Sequence, residues 1–368
     1  MATITADLSS PRTDSQTLVR EASPDEVLLW DDLVRRFDNY RIYHKAAWVR
    51  SLEASVGGRA VFLIFEKDRE IVGCLPGLVH RWGLLRLFGS PLPGWQTSSM
   101  GPAFARHRVS TRELVMALVP YLEIRHGIHH IELVGGELDP ETMHRLGFWG
   151  EPVSTFRARL FPGDERRTMK AFKDSARRNV RRAARLGLIV RFEQEEGFVD
   201  ECYDQIKAVF ARNRVAVPFT KKRVLEFFRH MKAAGNLLAV SVYLPDGRTC
   251  IATGTFTVEG KELFLWQWAH RDQYRWYRPT EVMTWTVMQR AMAAGCETFD
   301  LMGERDFKAN FGAVLDTSKV RWVRSRYRWL TLARRLAKTC YGWQQSLRGH
   351  LARLRQRGGL SKGINHAK

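Results

Sequence analysis

The order of apolar stretches along the chain constrains its fold more than any other sequence feature. Residues 60–66 are a nearly continuous apolar run that reads as a strand, a charged turn follows at Lys67–Glu70, and residues 71–79 form a second strand, bent by Gly73 and Pro76. The segment Leu87–Trp95, rich in Gly and Pro, reads as a loop. Ser110 then caps a helix to His126 whose Leu114, Leu118 and Leu122 share a face, and a strand follows over 131–134. Asp139 and Pro140 open a short helix, and 155–160 makes a closing strand. The second half restates this order. A basic helix over 165–186 ends at Gly187, and a strand covers 189–192. Helices cover 198–213 and 221–234. Strands at 237–244, 249–258 and 261–269 precede a helix over 280–294 and a strand at 298–301. Two short amphipathic helices, 28–37 and 48–56, precede the first strand. No sequence repeat accompanies this recurrence, but the order of elements predicts duplicated α/β units.

Length and charge agree. At 368 residues the chain exceeds the usual single domain, and with 12 Trp and 20 Phe each half can build a core. The net charge of +20 is concentrated. From Lys319 to Lys368 there are 14 Lys or Arg and no Asp or Glu, and a second cluster runs from Arg166 to Arg185. Such stretches attract nucleotides, RNA or anionic lipid, or else simply solvate a helix face. The cationic, partly amphipathic segments 330–338 and 347–355 fit an anionic membrane surface, a tRNA backbone, or docking on the first domain. The five cysteines are scattered without a C-x-x-C, which argues against a disulfide framework or zinc site. His129–His130 lacks companion ligands at metal spacing, so no metal is expected. No G-x-S-x-G, Walker A or dinucleotide glycine pattern is present. Residues 1–24 are polar, without a secretory h-region, and no run of about 18 apolar residues occurs. The expected location is the cytoplasm, at most peripheral to the inner face of a membrane.

The most informative stretch is 263–312. A strand ending at Ala269 leads through His270-Arg271-Asp272-Gln273-Tyr274-Arg275-Trp276-Tyr277-Arg278-Pro279-Thr280 into a helix. Arg271, Arg275, Arg278 and Thr280 thus sit where free N–H groups and the positive end of a helix dipole favour phosphate, the plain alternative being a basic strand-to-helix turn. Phe299-Asp300-Leu301-Met302-Gly303 and Phe307-Lys308-Ala309-Asn310-Phe311-Gly312 follow. Lys308 between two aromatics can stabilise an oxyanion, or be a surface lysine with a buried stem. Asp300 can act as a base or, as we prefer, play a structural role by pairing with an Arg or capping a loop. Trp266 and Trp268, two apart on one strand, are expected on one sheet face, lining an acceptor groove or building a core. Trp276 and Trp285 could line the same groove.

The basic helix with Arg177-Arg178-Asn179-Val180-Arg181-Arg182-Ala183, the Tyr-Arg-Trp-Tyr-Arg-Pro-Thr turn and the two motifs near residue 300 together resemble the FemAB-like branch of the GNAT acyltransferases. The similarity is clear over about residues 166–313. It implies an α+β chain of two tandem GNAT-like domains, each a mixed, mostly antiparallel sheet flanked by helices. The implied divisions are a tail at 1–24, domains at 25–160 and 161–316, and a segment 317–368 that returns a strand to the first domain before a basic helical tail. The resemblance also implies an N-acyltransferase that moves an acyl group from acyl-CoA to a sugar or peptide amine of the cell envelope. Lys308 takes the catalytic role with Asp300 beside it, Arg271, Arg275, Arg278 and Thr280 face the donor, and Trp266, Trp268, Phe307 and Arg178 face the acceptor. The glycines that cradle phosphate in simple GNAT enzymes are replaced here by those arginines. That substitution keeps two rivals in view: an aminoacyl-tRNA-dependent peptidyltransferase of the same fold, and a non-catalytic basic protein that binds membrane or nucleic acid.

Overall fold

The computed structural model describes residues 16–334 and 336. Its strands are β1 (Leu18–Glu21), β2 (Arg59–Lys67), β3 (Glu70–Trp82), β4 (Leu85–Ser90), β5 (Ala103–Phe104), β6 (His130–Gly135), β7 (Trp149–Arg159), β8 (Ile189–Glu193), β9 (Leu237–Tyr243), β10 (Cys250–Glu259), β11 (Glu262–His270), β12 (Thr298–Asp300) and β13 (Ala313–Ser325). Its helices are α1 (Pro24–Leu28), α2 (Trp30–Val34), α3 (Ala46–Val56), α4 (Thr111–Arg125), α5 (Pro140–Arg145), α6 (Glu165–Lys170), α7 (Asp174–Arg185), α8 (Gly197–Arg212), α9 (Lys221–Ala233) and α10 (Pro279–Ala293).

All strands but the small β5 join one sheet in the order β1-β2-β3-β4-β6-β13-β7-β12-β11-β10-β9-β8. The order is a mirror. β1 to β4 and β6 on one side match β8 to β11 and β12 on the other, and only the β4–β6 and β11–β12 pairs are parallel. The two central strands are exchanged. β13, late in the chain, pairs antiparallel with β6 through Val320–Ser325, while β7, from the first half, pairs with β12. The chain is therefore an α+β protein of two halves with the same strand order, fused edge to edge.

Helices cover both faces. α4 presses Leu114, Leu118 and Leu122 onto the first half, and α10 presses Val287, Met288 and Ala291 onto the second. On the other face the halves share a core. Trp48 of α3 meets Phe227 of α9 edge-on at 5.1 Å, and Tyr43 meets Phe264 of β11 at 5.0 Å. Aromatic pairs of this geometry add to their area burial, so the shared core ties the halves into one unit.

The structure corrects several expectations. The helix expected over 165–186 is two helices, because Phe172 turns into the core against Phe311 and the Lys173 N–H donates to the Asn310 carbonyl. Gly312 is required at that contact: its φ is +73° and a Cβ would lie 2.8 Å from the Ala171 Cβ. Part of the expected loop 87–95 is the inner strand β4, whose pattern is obscured by Gly89. The expected tail 1–24 contains the edge strand β1, and the helix expected over 28–37 is the pair α1 and α2. Trp266 and Trp268 are not on one face. A bulge sets Thr255 opposite Gln267 but Phe256 opposite Leu265, so the extra residue Trp266 shifts the alternation.

Candidate active site

The cleft exists because two parallel strands part. β11 and β12 pair only from Glu262–Thr298 to Phe264–Asp300. β11 then runs on to His270, while the other strand turns away through Met302 (φ +54°) and Gly303 (φ +60°). The gap between residues 265–270 and 301–308 is a cleft of about 320 Å³, closed on a third side by Phe210 and Arg212 near the end of α8. A second chamber of about 370 Å³ adjoins it, lined by Arg275, Arg278, Thr280 and Asn310. Both chambers share Arg212, His270, Arg305 and Phe307, so they form one trough. Each volume falls within the range of small-molecule sites.

Lys308 lies in the 3-10 turn Asp306–Phe311 and is only 7% exposed. Its Nζ donates to the Met302 carbonyl. Burial lowers its pKa to about 8, against the opposing pull of the Asp300 charge, with Arg305 lowering it further. Asp300 is buried with both oxygens engaged. Oδ1 accepts from the Met302 N–H at 2.8 Å and Oδ2 from Lys319 Nζ at 2.9 Å. It holds the turn that presents Met302 to Lys308, and its cationic partner is a lysine of β13.

The far end of the trough is rich in cations, with Glu281 the one carboxylate among its lining residues, and that carboxylate accepts from the Asn179 amide. α10 begins at Pro279 with no side-chain cap, so its first-turn amides are open to a ligand. Arg278 precedes it in the left-handed region (φ +59°), with its Nε buried and unpartnered. Arg275, Arg212 and Arg305 line the same trough. A buried polar atom with no partner costs free energy, which an anion here would recover.

His270 stands where the chambers meet, its Nδ1 3.4 Å from the Thr280 hydroxyl. Burial pushes its pKa down, and the Arg212 charge adds to this, so the imidazole is neutral near neutral pH and able to accept a proton. Two residues before His270 on the same strand, Trp268 lies 5.9 Å from Phe307 and 6.0 Å from Phe311.

The structure thus brings together Lys308, Trp268, Phe307, Arg275, Arg278 and Thr280, and sets Asp300 just behind them. It separates three others. Arg271 donates to Glu201 at 2.7 Å and to the Cys250 carbonyl, outside the trough. Trp266 adjoins the cleft, but its ring stacks on Phe227 at 4.1 Å in the shared core. Arg178 is exposed on another groove, of about 790 Å³, with Arg166, Arg177, Arg181 and Trp285. Sequence reasoning missed His270, Arg212 and Arg305. The one local signal for them was Arg305, which sits between the two motifs near residue 300. No group of His, Cys, Asp or Glu among the described residues is arranged to hold a metal.

Residues 170–309 match the family described as "Acetyltransferase (GNAT) domain". No curated protein matches the chain in sequence. Among solved structures, FemX is similar with a TM-score of 0.66 at 13% identity, over 82% of this chain and 96% of FemX. A conserved protein of unknown function from Bacteroides thetaiotaomicron gives 0.57 at 8% identity, over 83% and 98%. The C-terminal domain of a putative lysylphosphatidylglycerol synthetase from Agrobacterium fabrum gives 0.51 at 14%, over 86% and 96%. At these identities the likeness is one of fold.

Proposed function

We propose that this chain, which carries a GNAT acetyltransferase domain in a fold like that of FemX, transfers an acyl group from acyl-CoA to an amine on a sugar or peptide of the cell envelope. The observation that carries this reading is the polarity of the trough, with an uncapped helix N-terminus, Arg275 and Arg278 at one end, Arg212 and Arg305 where the chambers meet, and Lys308 with Trp268 at the other end. A donor with a pyrophosphate at one end and a thioester at the other has the same polarity. The α10 amides, Arg278 and Arg305 would hold the pyrophosphate, and the splayed edge of β11 would guide the acyl end toward Lys308.

The chemistry asked of the residues is modest. The neutral amine nitrogen of the acceptor attacks the carbonyl carbon, and His270 accepts the proton that the nitrogen sheds. The Lys308 ammonium donates to the oxyanion as the carbonyl π pair moves onto oxygen. Collapse re-forms the carbonyl and breaks the carbon–sulfur bond, and the proton held by His270 leaves with the thiolate. The test is calorimetric titration of the protein with acetyl-CoA. Binding that Arg278→Gln weakens supports the reading, and no binding at any accessible concentration sinks it.

One observation favours a second reading, an aminoacyl-tRNA donor. The open groove of Arg166, Arg177, Arg178 and Arg181 is wider than a small ligand needs and suits a nucleic-acid backbone. Salt-sensitive tRNA binding without acetyl-CoA binding would select it.

A further inference from the structure

At the end of the first half's sheet, far along the chain from the trough motifs, apolar tips and cations meet. β3 and β4 stay paired up to Trp82–Leu85, so the turn between them is a firm two-residue tip. Trp82 is 59% and Leu84 98% exposed there. Beside it runs the helical turn 328–334. Leu330 is buried and Arg334 binds Glu132 and Glu151, while Trp329 and Leu332 are exposed on the other side. Trp82, Leu330 and Arg334 line one cavity of about 330 Å³, which makes tip and turn neighbours.

Behind the tip lies a pocket of about 480 Å³ lined by Arg59, Arg81, Arg86, Arg125, His80 and His126, with no carboxylate among its lining residues. Arg59 pairs with Glu21, and Arg86 donates to the His126 carbonyl. Arg81 and Arg125 make no ion pair among the described residues. Arg81 stands directly opposite Arg86 across the β3–β4 pair, an unfavourable juxtaposition in an empty sheet. The His80 Nδ1 is buried without a partner.

We propose that this end of the first half docks on an anionic phospholipid bilayer. Trp82, Leu84, Trp329 and Leu332 enter the interfacial layer, and the pocket of Arg81 and Arg125 takes a headgroup phosphate. Exposed Trp and Leu beside arginines is the composition of a membrane-surface contact, and each cation near such a surface strengthens attachment to anionic lipid. The described chain leaves the structure beside this face, and the sequence beyond residue 336 contains Lys338, Arg348, Arg353, Arg355, Arg357, Lys362 and Lys368 with no acidic residue. A second copy is a poor occupant, because its own arginines would be brought against these. No helix among the described residues is long and apolar enough to cross a membrane, so the contact is peripheral.

The test is vesicle flotation of the full chain, which reads binding and not turnover. Vesicles of mixed phosphatidylglycerol and phosphatidylcholine should carry the protein, and pure phosphatidylcholine should not. The pair Trp82→Ser with Leu84→Ser, and separately Arg81→Gln with Arg125→Gln, should each lower partitioning about tenfold or more. Leu84→Ser alone, at a nearly fully exposed site, guards against loss of fold and should still weaken binding. The proposal is overturned if the wild type ignores the anionic vesicles or if both pairs bind as well as wild type. It is equally overturned if the tip pair turns a dimer into a monomer with flotation unchanged. Soluble glycerol phosphate that binds the pocket as tightly as vesicles do would make it a site for free phosphoesters instead.

Discussion

The two halves share a strand order but not a site. In the second half, β11 and β12 part after three residue pairs, and the gap becomes the trough. In the first half, the matching strands β4 and β6 pair from Leu87–His130 to Ser90–Leu133, the last residue of β4. The chain then folds Leu92 and Trp95 back over Gly89, where a Cβ would lie 2.4 Å from the Leu92 side chain. The crossover helices differ in the same sense. α4 is closed by a capping box in which Ser110 and Glu113 satisfy each other's backbone N–H groups. Hydrogen bonds from Lys67 and Ser110 outweigh burial and hold Glu113 at about 2, so a carboxylate occupies the place an anion would need. α10 also has a glutamate at the third position of its first turn, but Glu281 accepts from Asn179 of α7 and makes no capping box, and the helix is preceded by Arg278. One strand order therefore becomes an open trough or a filled scaffold according to where one strand pair parts and how one helix start is filled.

The comparison breaks first at Lys308. If the second half alone carries chemistry, Lys308→Met should lower kcat by about 10²–10³ while leaving the melting temperature near that of the wild type, since it removes an oxyanion donor. Steady-state rates with a defined amine decide this, and an unchanged kcat would remove Lys308 from the site. The pH profile sharpens the point. With a pKa of about 8, Lys308 is charged below that pH and neutral above it. A donor role predicts a rate that falls as pH rises through about 8, and Lys308→Arg should carry activity past that limb. A rate that instead rises through about 8 would make the lysine a base.

Next in size is the anion end of the trough. Arg278→Gln and Arg305→Gln each remove a charge-assisted contact worth about 1.5–3 kcal/mol, so the donor Kd should rise about tenfold or more. Calorimetry measures this, and unchanged binding would place the phosphates elsewhere.

How much of this was legible beforehand follows from the range of the interactions. Ser110, Asp139 and Pro140 signal helix starts through contacts within a few residues, and those helices lie where their caps predict. The break at Phe172 depends on Phe311, and the bulge at Trp266 depends on the register with β10, so neither leaves a mark in its own neighbourhood. Asp300 finds Lys319 only because β13 crosses to the first half. Lys308 was visible because its aromatic neighbours Phe307 and Phe311 lie within one helical turn. His270 and Arg212 join it only once β11 splays against α8.

The smallest expected effect tests the filled half. Ser110→Ala removes the cap hydroxyl of α4 and should cost about 1 kcal/mol of stability, read as a lower denaturant midpoint. It should leave the donor Kd untouched, because Glu113 still bonds the Ser110 backbone N–H and Lys67, and Leu92 still fills the strand gap. Opening one cap does not reopen the sheet. If Ser110→Ala weakened donor binding as much as Arg278→Gln, the halves would be coupled through their shared core. The first half would then be a working part of the donor site rather than its scaffold.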